Sequence, residues 1–511
     1  MTTIITNDKA DFLKTHVAKG LLLLNGAMAI LYFCIIAFGF TPSNQFLFDL
    51  LVAGEVFHLW QVLGLLSAVW QTEYVAPFDA AIQSPVDVFI TVAGEPVEIV
   101  RQTAKAALAM NYPDFQVYLL NDGFVAGKDN WREIETLATE LGITCITRQT
   151  PGGAKAGNIN HALSLTQRPY VVVFDADHVP YPSFLAKTMG HFTDSKMGFV
   201  QTPQYYKNHQ ANAIAATAWE QQTLFFGPIM KGKNRFGSVF MCGTNMVVRR
   251  EALAAVGGMC EFNIAEDFLT SLFIHAKGFR SIYVPEVLAE GLAPEDFLSY
   301  YKQQYRWTRG SLEVIFKYNP LFMRGLSLYQ RYQYLTSASY YLSGVVVLMN
   351  AMLPIIFLFS GQVPVKTSTM LLALSFLPYI FLNLLVLQLS SNFSYSFRAI
   401  SFSLSSFYLQ LRAVVAVLTN QKTVFAVTSK QQIQGNFLYL AAPHFVYIAA
   451  FLAGLAVAIH REGVDTSVIN NSAWALLTIA IFVPFIMSAA PQGKLSLTRR
   501  SKKSFKIIVE Q

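Results

Sequence analysis

Apolar residues fall in two regimes along this chain. At both ends they form long, nearly unbroken runs, at about Leu21–Phe38, Phe46–Trp70, Leu335–Phe359, Met370–Leu389, Phe437–Ile459 and Ala473–Ala489. Each run is near the length a helix needs to cross about 30 Å of hydrocarbon, so the pattern predicts six membrane spans. A further stretch, Ser396–Asn420, is different in kind. Ile400, Leu404, Phe407, Leu411, Val414 and Leu418 recur at helical spacing, while serines, Gln410 and Arg412 fill the other face. This stripe predicts an amphipathic helix lying in the membrane interface, with a seventh span as the other reading.

Between about Ser84 and Tyr318 the pattern changes to short apolar runs separated by helical periodicity. VDVFITVA (Val86–Ala93) and FQVYLLND (Phe115–Asp122) read as strands, with helices over Val97–Met110 and Trp131–Leu141 between them and a third strand, ITCITRQ. The run YVVVFDAD (Tyr170–Asp177) is apolar on both faces, as in a central parallel strand covered on both sides. Alternating strands and helices predict a parallel, Rossmann-like sheet. No GxGxxG follows the first strand, so the dinucleotide fingerprint is missing.

Composition agrees with this division. A chain that is 53% hydrophobic and 14% charged is too apolar for an ordinary soluble enzyme. Lys9, Lys14 and Lys19 precede the first span, and Arg499, Arg500, Lys502, Lys503 and Lys506 follow the last. The first span lacks a small-residue cleavage site and reads as an anchor. The positive-inside rule then predicts an inner-membrane protein with both termini and the central domain in the cytoplasm. The +7 net charge is membrane-proximal bias and calls for no nucleic acid. Cys34, Cys145, Cys242 and Cys260 lack metal-ligand spacing, and no disulfide is expected. The expected units are 1–83 with two spans, a catalytic domain over 84–330, 331–495 with four spans and the interfacial helix, and a basic tail over 496–511.

The candidate chemistry sits at strand ends. Asp175 and Asp177, delivered to the carboxyl edge of a central strand, make a hard-oxygen site for Mg²⁺ or Mn²⁺, the counter-charge of a diphosphate. A turn or helix cap uses the same residues. Glu95 and Asp122 end two other strands. GGAKAGNIN (Gly152–Asn160) puts Lys155 and two asparagines in a glycine-rich loop able to meet anionic oxygens. FMCGTN (Phe240–Asn245), AED (Ala265–Asp267), QQYRW (Gln303–Trp307) and FAVTSK (Phe425–Lys430) follow in order. In the second span Glu55, His58 and Gln61 suit a polar channel lining, or packing against neighbouring helices.

These strings, in this order and between these spans, resemble the membrane-embedded processive family 2 glycosyltransferases, the cellulose synthase-like enzymes. The resemblance runs from the second span through Lys430. It implies a GT-A catalytic domain on the cytosolic side, a transmembrane channel for the growing polysaccharide and a divalent metal. It implies that Glu95, Asp122, Lys155, Asp175, Gln303 and Arg306 meet the nucleotide sugar. Asp177 with Asp175 would hold the metal, and Asp267 would be the general base. Cys242 and Trp307 would border the acceptor. FAVTSK is similar to a gating loop that closes over the donor, with Thr428 and Lys430 on the diphosphate.

The implied reaction is inverting transfer from a UDP-sugar, UDP-glucose first, to a growing β-glucan that is extruded through the chain's own channel. Membrane lipids and accessory export subunits are the other expected partners. The alternatives are a non-processive transferase loading a lipid carrier, and a hyaluronan- or chitin-like synthase using an N-acetylhexosamine. Three departures bear on this. TED is AED here, QRxRW is QQYRW, a form shared with hyaluronan synthases, and YNEP is replaced by VAGEP. No PilZ domain that binds cyclic-di-GMP is expected after the last span.

Overall fold

The computed structural model of the chain describes residues 8–14, 17–367, 369–421 and 433–491. Two apolar helices, α1 (Lys19–Cys34) and α2 (Gln45–Val69), come first. The side chain of Asn44 caps α2 by accepting from the Leu47 N–H at 3.1 Å.

The central domain is built on seven strands: β1 (Val86–Val92), β2 (Phe115–Asn121), β3 (Thr144–Thr147), β4 (Tyr170–Asp175), β5 (Met197–Gln201), β6 (Met246–Arg249) and β7 (Arg280–Tyr283). Their order across the sheet is β3-β2-β1-β4-β6-β5-β7. The first four are parallel, as their apolar runs predict. The sheet as a whole is mixed, which corrects the expectation of a purely parallel one. β6 runs antiparallel to both β4 and β5, and β7 is parallel to β5. The antiparallel strand follows FMCGTN, so that loop enters the sheet from the same edge at which β4 ends.

Period-two alternation divides each central strand between two cores. Val88, Ile90, Val172 and Phe174 face helices α3 (Val97–Leu108) and α4 (Trp131–Leu141). Phe89, Val171 and Val173 face the layer holding α5 (Ala154–Leu165) and α6 (Glu266–Ala276). With both faces covered, every residue of β1 is buried, and loops carrying chemistry collect at the carboxyl edge. A small sheet of Val179–Pro180, Ala289–Gly291 and Tyr205–Tyr206 stands beside that edge.

Helix α7 (Phe297–Glu313) leads out of the domain. Leu328–Ser339 begins with a capping box in which Ser327 and Gln330 satisfy each other's backbone N–H groups. Then come α8 (Ser343–Ser360), α9 (Thr369–Ser390), α10 (Phe397–Ser405), α11 (Phe407–Leu418), α12 (Ala442–Glu462) and α13 (Thr466–Ala489).

The described residues contain seven helices long and apolar enough to cross a membrane, against six expected. The addition is Phe397–Leu418, the predicted amphipathic helix. It is broken at Ser406 into α10 and α11. Its serine face is the buried one: Ser405 Oγ donates to the Ile481 carbonyl of α13, and Ser343 of α8 donates to Gln410 Oε1 at 3.0 Å. Val415 and Leu418 point outward. Phe402, Phe407, Leu409 and Val417 are buried alongside the serines and Arg412 is exposed, so the segment packs as a largely enclosed helix between its neighbours.

Candidate active site

The carboxyl ends of β1, β2 and β4 open on one cleft of about 340 Å³. Ten of the candidate residues line it: Glu95, Asp122, Lys155, Asp175, Asp177, Cys242, Asp267, Gln303, Arg306 and Trp307, whereas Glu55, His58 and Gln61 of α2 do not. Thr428 and Lys430 lie outside the described residues. The chain leaves and re-enters the described part beside α7. Arg309 donates to the Gln421 carbonyl, and the Ile433 N–H donates to Asp296, the residue capping α7, at 3.3 Å.

The glycine-rich loop works through its backbone. Gly152 and Gly153 have φ of 139° and 63°, in the left-handed region, and turn the chain sharply into α5. This aims Lys155 from the first turn of α5 into the cleft. Its ammonium pairs with Asp175 and donates to the Gly243 carbonyl at 2.7 Å. Burial opposes the charge on Lys155, but Asp175, Glu266 and Asp267 outweigh it and raise its pKa. Burial likewise opposes ionisation of Asp175, but Lys155 and His178 hold its pKa below the ordinary carboxylate range.

Of the asparagines of the same loop, Asn158 lines the cleft and Asn160 does not, and both spend their amide N–H groups on the protein. Asn158 donates to the Leu120 carbonyl at 2.9 Å. Asn160 ties the Met259 carbonyl, at 2.9 Å, and Glu261, at 2.7 Å, to the loop. Short amide side chains beside unpaired strand and loop carbonyls satisfy the backbone first. Glu95 also turns inward, accepting from the Ala93 N–H at 2.6 Å.

Two residues that the sequence did not single out complete the site. Arg148, at the end of β3, holds Asp122 through both carboxylate oxygens and donates to the Gly152 and Ala154 carbonyls. His178 directly follows the DAD string. A ligand atom from each of Asp175, Asp177 and His178 lies within 4.8 Å of the others. His178 is 3% exposed, and neither ring nitrogen has a hydrogen-bond partner among the described residues. Two carboxylates and a buried imidazole, its Nδ1 3.6 Å from Asp177 Oδ1 and without a hydrogen bond among the described residues, fit a divalent metal of the Mn²⁺ type. A histidine beside an Asp-x-Asp string was the available signal.

AED opens α6. The Asp267 carboxylate accepts from the Phe268 N–H at 2.7 Å. Burial, and then the neighbouring Glu266 charge, raise its pKa to about 7. Gly243 (φ 81°) passes so near that a side-chain carbon there would lie 3.1 Å from Asp267 Oδ2.

On α7, Gln303, Arg306 and Trp307 recur at three and four residues and share one face. One turn on, Gly310 abuts Ala265, leaving no room for a side chain between α7 and the AED turn. Burial pushes the Arg306 pKa down, against the pull of Glu266, Asp175 and Asp267. Cys242 is held by backbone bonds, its N–H to Gln201 Oε1 at 2.8 Å and its carbonyl to Gln204 Nε2 at 2.7 Å.

Residues 84–310 match the family model described as glycosyltransferase like family 2, and residues 254–439 match the model for cellulose synthase. The chain carries a family 2 glycosyltransferase domain and a cellulose synthase domain. It is 30% identical over 414 residues to a cellulose synthase catalytic subunit [UDP-forming] of Pseudomonas fluorescens, covering 78% of this chain and 55% of the relative. It is 35% identical over 297 residues to the subunit of the same name in Xanthomonas axonopodis pv. citri, covering 56% and 40%. Cellulose synthase 1 of Komagataeibacter xylinus is 30% identical over 81% of this chain and 27% of its own. The chain thus spans about half or less of the length of these relatives. Among solved structures, the mannosyltransferase PcManGT of Pyrobaculum calidifontis, in complex with GDP-Man and Mn²⁺, superposes with a TM-score of 0.51 at 16% identity. It covers 78% of this chain and 100% of its own, which establishes the GT-A fold.

Proposed function

We propose that the protein is a processive, inverting β-glycosyltransferase. In this reading it polymerises a UDP-sugar, UDP-glucose first, and passes the product through its own membrane helices. The observation that carries this reading is the convergence of Asp175, Lys155, Asp267, Arg306 and Trp307 on one cleft, at the foot of a bundle of apolar helices. The relatives named cellulose synthase support the same reaction.

Asp175, Asp177 and His178 would hold Mn²⁺ or Mg²⁺, which when bound supplies counter-charge to the diphosphate. Lys155, at the positive N-terminal end of α5, and Arg306 would neutralise the charge that develops as the sugar–phosphate bond breaks. Asp267 would take the proton of the acceptor hydroxyl, a role suited to a carboxylate whose pKa burial has raised toward neutrality. One in-line displacement converts an α-linked donor into a β-linked product. Trp307 would carry the apolar face of the acceptor ring beside Cys242. Gln303 would meet the diphosphate, and Glu95 and Asp122 the nucleoside end of the cleft, Asp122 through Arg148. Thr428 and Lys430 would close over the donor. The lysines before α1 and the basic residues after α13 would put the catalytic domain on the cytoplasmic side.

The deciding experiment incubates the purified protein with single UDP-sugars and Mn²⁺, then digests the product with linkage-specific glycosidases. A β-glucan released from UDP-glucose supports the reading. A single sugar on a lipid, with no polymer, overturns it.

A further inference from the structure

The segment ahead of the first membrane helix does not trail into solvent. Asp8–Leu13 forms a short turn of helix against the catalytic domain. Phe12, 7% exposed, sets its ring edge-on to Trp219 at 4.9 Å, and Leu13 is equally buried. Lys231 donates to the Leu13 carbonyl at 2.7 Å, and Asn392 to that of Asp11 at 3.3 Å. Two buried apolar side chains and two anchored carbonyls fix this turn in place.

So anchored, the turn presents Lys9 to the small sheet beside the cleft. The Lys9 ammonium pairs with Glu290, donates to Tyr181 Oη at 3.0 Å and lies 5.7 Å from the centre of the Tyr205 ring. Tyr181 in turn donates to Glu290. Glu290 is opposite Val179 on one neighbouring strand and opposite Tyr205 on the other. One ammonium therefore ties all three strands together.

Those strands hold the metal loop. Asp177 and His178 immediately precede Val179, and the Leu292 N–H, two residues after Glu290, donates to Asp177 Oδ2 at 3.1 Å. Gly291 lies flat against the His178 ring, where any side chain would collide. A shift of the Glu290 strand would carry Leu292 and Gly291 with it. It would thereby displace one carboxylate and the imidazole.

We propose that Lys9 is a positioning residue for the divalent-metal loop, and that residues 8–14 form a strap holding this loop in its ligating geometry. The inference rests on the proposed metal site at Asp175, Asp177 and His178. It adds to that site a residue from outside the matched family domains. The Lys9 ammonium never touches donor or acceptor in this account. It acts on metal affinity alone.

The test uses the full chain, purified in detergent, as wild type, Lys9→Ala, Lys9→Arg, Glu290→Gln and Asp177→Ala. UDP binding is titrated calorimetrically across a Mn²⁺ series, and the Mn²⁺ half-saturation of turnover is measured in parallel. Because Lys9 is half-exposed, its loss is expected to raise the Mn²⁺ needed for half-maximal UDP binding by about two- to fivefold. Turnover at saturating Mn²⁺ should be unchanged. Glu290→Gln should give the same shift, and Lys9→Arg should restore wild-type behaviour. A Lys9→Ala protein with wild-type Mn²⁺ half-saturation, while Asp177→Ala loses Mn²⁺-dependent binding, overturns the strap and leaves the metal site standing. A fall in maximal turnover without a shift in half-saturation also overturns it, since that marks a merely structural role. Undiminished Mn²⁺-dependent binding in Asp177→Ala removes the metal site itself, and the strap with it.

Discussion

Arg148 grips both oxygens of Asp122, Nε to Oδ1 at 2.8 Å and Nη2 to Oδ2 at 2.7 Å, with both side chains under 10% exposed. The same guanidinium reaches the Gly152 and Ala154 carbonyls. It thus joins the end of β2 to the loop that aims Lys155. Asp122 was expected to touch the nucleotide, yet its geometry makes it first a fixed anion for Arg148. Removing Arg148 would strand a buried carboxylate, and a broken buried pair costs about 3–5 kcal/mol. Arg148→Ala is therefore expected to lower the thermal unfolding midpoint and to weaken UDP binding together. Arg148→Lys should recover much of the stability but less of the binding, because an ammonium cannot span both oxygens and both carbonyls. Wild-type unfolding and UDP affinity in Arg148→Ala would dismiss this account.

Asp267→Asn should abolish most sugar transfer and leave UDP binding near wild type. The amide keeps the bond from the Phe268 N–H but cannot accept the acceptor's proton. Loss of a general base typically costs about 10²–10⁴-fold in rate. Turnover within a few-fold of wild type would exclude Asp267 from that role.

How far the site was legible in the chain depends on distance. The DAD string, the glycine loop and the QQYRW face are local patterns, and each is where its sequence put it. Arg148 was not legible as a site residue, because its partner Asp122 belongs to the neighbouring strand and meets it only through sheet register, Asn121 against Thr147. His178 was overlooked because its burial depends on Gly291, a remote residue whose missing side chain makes room for the ring. The antiparallel β6 was not foreseen, since MVVR (Met246–Arg249) is as apolar in either direction. Over Phe397–Leu418 the serines and Gln410 turn inward to neighbouring helices, which the apolar stripe alone did not foretell, while Arg412 stays exposed as its polar face predicts.

The pH dependence follows from the pair at the start of α6. Burial and the Glu266 charge raise the Asp267 pKa to about 7, and the proposed base works only when unprotonated. Turnover at saturating donor should therefore fall as the pH drops through neutrality and level off above it. An ordinary carboxylate would give a limb near pH 4. Glu266→Gln removes the like charge beside the base, so the limb should move to lower pH. A wild-type profile flat between pH 5 and 8, measured with Mn²⁺ held saturating, would contradict the assignment.

The metal loop gives the last prediction. Asp177 and His178 are both nearly inaccessible, and they supply different atoms, a carboxylate oxygen and an imidazole nitrogen. Nitrogen donors suit Mn²⁺ and heavier ions better than Mg²⁺, which favours all-oxygen shells. Asp177→Ala should therefore weaken UDP binding with either metal, because it removes a charge that both ions need. His178→Asn should act selectively. It replaces the ring by a smaller group whose oxygen can take the same place, so Mn²⁺-supported binding should fall more than Mg²⁺-supported binding. The two ions should then become nearly equivalent. The measurement is UDP affinity by calorimetry with each metal in turn, together with metal-free unfolding to show that both variants fold. Equal losses with Mn²⁺ and Mg²⁺ in His178→Asn would mean that the imidazole shapes the loop without ligating the ion. No loss with either ion in Asp177→Ala would place the metal elsewhere in the cleft.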